Sequence, residues 1–162
     1  MKNSAVIAIG AAGLAAAAAA IHFGLGQQAA PPPFSLQPDD TKVAAQGAKI
    51  YTAQCAACHG AALEGQPNWR SRGPDGMLPA PPHDASGHTW HHPDEVLFKL
   101  TKFGAAKVAD LKVYKTAMPI YEGVLSDADI VAVLSWIKSQ WPASVRERQD
   151  QINAQHRADS PR

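Results

Sequence analysis

Gly47-Ala48-Lys49-Ile50-Tyr51-Thr52-Ala53-Gln54-Cys55-Ala56-Ala57-Cys58-His59-Gly60 is the stretch on which the rest of the chain turns. Two thiols stand three positions apart, and a histidine follows directly. Ahead of them Val43, Gly47, Ile50 and Tyr51 recur at helical spacing, so the motif sits at the end of an amphipathic helix. Cys55 and Cys58 are the only 2 cysteines among 162 residues, which excludes a disulfide-rich scaffold.

C-x-x-C-H is the attachment signature of a c-type haem. At this spacing each thiol reaches one vinyl group of the same porphyrin and forms a thioether. His59 then falls beneath the ring, where an imidazole nitrogen can ligate iron. One covalent haem uses both cysteines. Two other readings are weaker. A thioredoxin-like dithiol expects a βαβ context, and no segment here alternates with period two. A zinc site wants four ligands, commonly from a second pair, and only His88, His91 and His92 are at hand.

Working outward, two more segments have helical period. Val96, Leu97, Leu100 and Phe103 form a stripe that begins at Pro93, with Asp94 and Glu95 in the first turn. Ile130, Val133, Leu134 and Ile137 form another. It is opened by Ser126 with Asp129 three residues on, a capping-box variant, and is stopped near Trp141 by Pro142. Three helices without strands give an all-α class. Between the first two lies a loop of 33 residues, Gly60 to His92, rich in Gly, Pro and His. So long a loop in a compact domain is usually functional or disordered.

Gly47-x-x-x-Tyr51-x-x-x-Cys55-x-x-Cys58-His59-Gly60 resembles the first helix and haem motif of class I cytochromes c, and Ala117-Met118-Pro119 followed by 126–141 resembles their sixth-ligand loop and last helix. The resemblance covers about residues 41–141. It implies the class I cytochrome c fold, three main helices around one haem. It also implies that Gly47 and Tyr51 meet the face carrying Val133, Leu134 and Ile137. Met118, 59 residues after His59 and just before Pro119, is the expected second axial ligand. A soft thioether there favours ferrous iron more than an imidazole does. Met77, one of the loop histidines, or an open site are the alternatives. The family also uses a proline carbonyl to hold the proximal histidine, here from Pro79, Pro81 or Pro82. Trp69, Arg70, Arg72 and Trp90 are candidates for contact with the haem propionates.

At the N-terminus, Ala5 to Ile21 carries neither a charge nor a hydrogen-bonding side chain. As a helix it spans roughly 26 Å, and roughly 32 Å if continued to Leu25, against about 30 Å of bilayer core. Residues 1–26 therefore read as a membrane anchor or a cleaved signal peptide. Residues 27–40, with Pro31-Pro32-Pro33, read as a Pro-rich tether, 41–141 as the domain, and 142–162 as a polar C-terminal tail, either a solvated helix or a frayed end. Both N-terminal readings place the domain on the periplasmic side of a bacterial inner membrane. Hydrophobic residues at 46% suffice for a core, and a net charge of +1 excludes a strongly basic nucleic-acid binder.

The expected function is electron transfer by one haem c held by Cys55 and Cys58 and ligated by His59 and Met118. No motif marks a substrate pocket, so the chain reads as a carrier rather than an enzyme, or as the electron-transfer subunit of one. Lys99, Lys102, Lys107, Lys112 and Lys115 precede Met118 with only Asp110 among them, a face suited to an acidic redox donor or acceptor. The alternative is a haem sensor or copper-binding module built on the loop from 83 to 92, with His83, His88, His91 and His92.

Overall fold

The computed structural model describes residues 35–160. They form six α-helices and one short 3-10 turn, with no strand among the described residues. α1 (Thr41–Gln54) starts where the Asp40 carboxylate accepts the N–H groups of Lys42 and Val43. Cys55 ends α1 and opens the single turn of α2 (Ala56–His59). The chain then runs without α-helix to α3 (Asp94–Phe103), broken only by the 3-10 turn Thr89–His91. After the short α4 (Ala105–Val108) come α5 (Asp127–Ser139) and α6 (Ala143–Asp159).

The three helices read from the sequence are α1, α3 and α5. Pro93 caps α3 from an extended conformation rather than serving as its first residue. The Ser126–Asp129 capping box is present in both directions. α1 and α5 form the principal helix–helix contact. Gly47 makes it possible, because a Cβ there would lie 2.0 Å from the Ala132 carbonyl oxygen and 2.7 Å from Trp136 Cβ. One turn on, the Tyr51 ring packs on Trp136 with centroids 4.6 Å apart. The surface facing Gly47 is thus Ala132 and Trp136, while Val133, Leu134 and Ile137 fill the core behind it with Ile130, Leu97 and Tyr51.

The segment after Pro142 differs most from the sequence reading. Its composition reads as a solvated helix or a frayed tail; 143–159 is a helix, but one that buries Gln149 and Asn153. Both side chains serve α3. The Asn153 Oδ1 accepts the Asp94 N–H at 2.7 Å, and Gln149 Nε2 donates to Asp94 Oδ1 at 2.6 Å. Asp94 Oδ2 accepts the Leu36 N–H at 2.9 Å, and Lys138 Nζ lies 3.6 Å from the same carboxylate. Leu36 itself is buried, so the end of the stretch read as a tether is packed on the domain. Polar groups buried this deeply must all be paired, and among the described residues no buried side-chain nitrogen or oxygen lacks a partner.

The expectations for residues 1–26 fall outside the described residues, as do 27–34 of the tether. Among the described residues no helix is long and apolar enough to cross a membrane.

Candidate functional site

α2 brings Cys55, Cys58 and His59 onto one helical turn. Gly60 ends it with φ +82°, a conformation that costs a side-chain-bearing residue dearly, and the Tyr51 hydroxyl donates to the Gly60 carbonyl at 2.8 Å. Neither thiol is in a disulfide; Cys58 is exposed and Cys55 half-buried. Burial pushes the Cys55 thiol up to about 11, a shift opposed by a hydrogen bond with Tyr121 and augmented by the charge of Cys58. Cys55 therefore stays protonated at neutral pH and is a poor nucleophile on its own.

His59 is 7% exposed. Its Nδ1 lies 2.8 Å from the Pro81 carbonyl oxygen. A carbonyl only accepts, so Nδ1 carries the proton and Nε2 keeps its lone pair. Burial lowers the imidazole's affinity for a second proton, against a smaller opposite effect of the Pro81 bond. The ring is thus a neutral, oriented donor. Of Pro79, Pro81 and Pro82, Pro81 makes this bond.

Two thiols on the turn that carries a neutral imidazole with one free nitrogen are the donor set that a c-type haem requires, and the residues present fit that group.

Met118 lies in the non-helical segment between α4 and α5 and is 40% exposed. Its N–H donates to Thr116 Oγ1 at 3.1 Å. Three residues later the chain is fastened. Tyr121 and Glu122 donate their N–H groups to the carbonyls of Thr101 and Lys102, and the Tyr121 hydroxyl donates to the Gln54 carbonyl at 2.8 Å. Burial, with the charge of Cys55 next, raises the Tyr121 hydroxyl to about 12, so it remains a donor throughout the neutral range. Met77 is half-buried in the long loop, its N–H on Asp75.

The loop histidines divide among several aromatic contacts. The His83 ring stacks on His59, while His91 lies against Trp90 and His88 against Trp69. His88 and His92 meet edge to face with centroids 5.7 Å apart. Among the described residues no group of three or more His, Cys, Asp or Glu is arranged to hold a metal ion, which gives the copper reading no support. Arg70 covers the Trp69 ring at 4.0 Å, and Arg72 donates to the Gly76 carbonyl.

A cavity of about 270 Å³ lies elsewhere, between Leu36, Asp94, Lys138, Arg146 and Asn153. Its basic and acidic lining groups balance, and it shares no residue with the Cys55–His59 turn.

Sequence reasoning missed His83, Thr89, Tyr121 and Trp141 as supports of this site. Only two of them had a local signal: His83 stands two residues after Pro81, and Tyr121 three after Met118.

The family model described as Cytochrome c matches residues 44–141. No curated protein and no solved structure matches the chain.

Proposed function

The chain belongs to the cytochrome c family, and from that premise we propose that it is a His/Met-ligated electron carrier working on the periplasmic side of a bacterial inner membrane. Membership brings a covalently bound haem c and haem-based electron transfer in general. When bound, the haem supplies a one-electron couple between ferric and ferrous iron.

Cys55 and Cys58 would hold the ring through thioethers, and His59 Nε2 would ligate iron on one face. The observation that carries this reading is the 2.8 Å contact from His59 Nδ1 to Pro81, because it fixes which nitrogen is left to bind metal. Met118 is the proposed ligand on the other face. Its support is the bond from Tyr121 to Gln54, which anchors the Met118 segment beside the attachment helix. Two permanent axial ligands would keep small molecules off the iron and limit rearrangement on electron exchange.

The proposed location rests on the apolar run from Ala5 to Ile21 and on the attachment chemistry, which takes place outside the cytoplasm. The proposed partners are acidic redox proteins, one donating and one accepting, with the chain a carrier between them or the electron-transfer subunit of one. Lys99 and Lys102 are paired with Glu95 and Asp127. Lys107, Lys112 and Lys115 are exposed and in none of the ion pairs found among the described residues.

Denaturing extraction of membranes and periplasm from a haem-maturing bacterial host tests attachment and location together. Haem that stays with the polypeptide, is lost in a Cys55→Ala/Cys58→Ala variant, and sits in either fraction is the expected result. Extractable haem, or cytoplasmic protein, contradicts it.

A further inference from the structure

The loop that gives the Pro81 carbonyl to His59 also lays a second imidazole against it. The rings of His59 and His83 stack with centroids 4.0 Å apart and planes 22° apart. A single hydrogen bond at Nδ1 fixes the direction of one nitrogen but leaves the ring free to rock about that bond. A flat neighbour removes this freedom, since rotation of either ring opens the stack.

His83 is itself held on every side. Its N–H donates to the Leu63 carbonyl at 2.8 Å, and its own carbonyl accepts the Trp141 indole N–H at 2.7 Å. Its ring Nδ1 lies 2.8 Å from Thr89 Oγ1, and Tyr51 presents an edge to it. Thr89, Tyr51 and Trp141 are all buried. A rigid support of this kind does more than fill space, because a leucine would fill the volume without fixing a plane.

We propose that His83 is a positioning residue that sets the plane of the His59 imidazole, and through it the orientation of the axial ligand on the haem iron. The inference rests on His59 being that ligand. In ferric low-spin haem the order of the paramagnetically shifted ring-methyl proton resonances follows the orientation of both axial ligands, so with Met118 unchanged a turn of the imidazole plane shifts it.

The test is the proton NMR spectrum of the ferric holoprotein with His83→Leu, His83→Phe and Thr89→Val. His83→Leu should displace and reorder the methyl resonances, and His83→Phe, which keeps a flat ring but loses the Thr89 bond, should shift them no further than Thr89→Val does. Thr89→Val, which releases the His83 ring, should shift the resonances in the same sense by less, and it carries the test alone should His83→Leu yield no holoprotein. A wild-type pattern in His83→Leu and Thr89→Val overturns the proposal, as does a displacement in His83→Phe equal to that in His83→Leu. A wild-type protein without low-spin shifted methyls would count against the six-coordinate His59/Met118 reading on which the inference rests, which separates the two failures.

Discussion

The Tyr121 hydroxyl donates to the Gln54 carbonyl at 2.8 Å, tying the segment that carries Met118 to the last turn before Cys55. Gln54 closes α1, so its carbonyl has no onward helical partner and the tyrosine supplies one. One bond thereby satisfies a helix end and sets the span across which Met118 must reach.

Tyr121→Phe should keep the fold and cost about 0.5–1.5 kcal/mol, the range for one part-buried hydrogen bond lost. Its more telling effect is on ligand exchange. Added imidazole should displace Met118 faster and at lower concentration than in the wild type, followed by loss of the sulfur-to-iron band. Identical imidazole titrations would show that the anchor does not govern Met118.

Gly47→Ala places a methyl group against backbone, the Ala132 carbonyl 2.0 Å away, rather than against a flexible side-chain tip. The helices must part, so the cost is expected at the upper end for overpacking, about 3 kcal/mol. Thermal unfolding of the holoprotein checks it. An unchanged midpoint would mean that α1 and α5 cross less closely than found here.

The capping carboxylate of α5 should make stability pH-dependent. The Ser126 hydroxyl, then the Gln46 amide, hold the Asp129 carboxyl below the usual aspartate range. A depressed folded-state value stabilises the fold above the unfolded value and loses that contribution as pH falls through the folded one. The melting-temperature gap between wild type and Asp129→Asn should therefore be full at neutral pH and close on acidification below the usual aspartate range. A gap independent of pH would count against the cap.

Lys107, Lys112 and Lys115, in no ion pair among the described residues, should steer anions. Oxidation of the ferrous protein by hexacyanoferrate(III) should slow with rising salt, and a Lys107→Glu/Lys112→Glu/Lys115→Glu variant should react about tenfold more slowly at low salt. Equal rates and equal salt dependence would remove this face as a docking surface.

Local chemistry made much of this legible in advance. C-x-x-C-H is contained in one turn, so nothing distant is needed to recognise it. α1, α3 and α5 show themselves because each buries a stripe with the helical period. α6 does not, since what it buries is Gln149 and Asn153, and their reason for burial is Asp94, 55 and 59 residues away, whose carboxylate takes the Gln149 amide and whose N–H goes to Asn153. Hydropathy carries no trace of such a pairing. The long loop is equally opaque. It has no period, and the one local signal that sets His83, which stacks on His59, apart from His88 and His91, which rest on Trp69 and Trp90, is its place two residues after Pro81.

The optical spectrum of the oxidised and reduced holoprotein, with and without carbon monoxide, tests the central claim most directly. A His/Met-ligated carrier predicts a low-spin c-type spectrum with the weak far-red sulfur-to-iron band, absent in Met118→Ala, and a ferrous form that carbon monoxide leaves unchanged. A high-spin spectrum, or a large carbon monoxide shift in the wild type, would contradict Met118 ligation and point to a haem with an open sixth position.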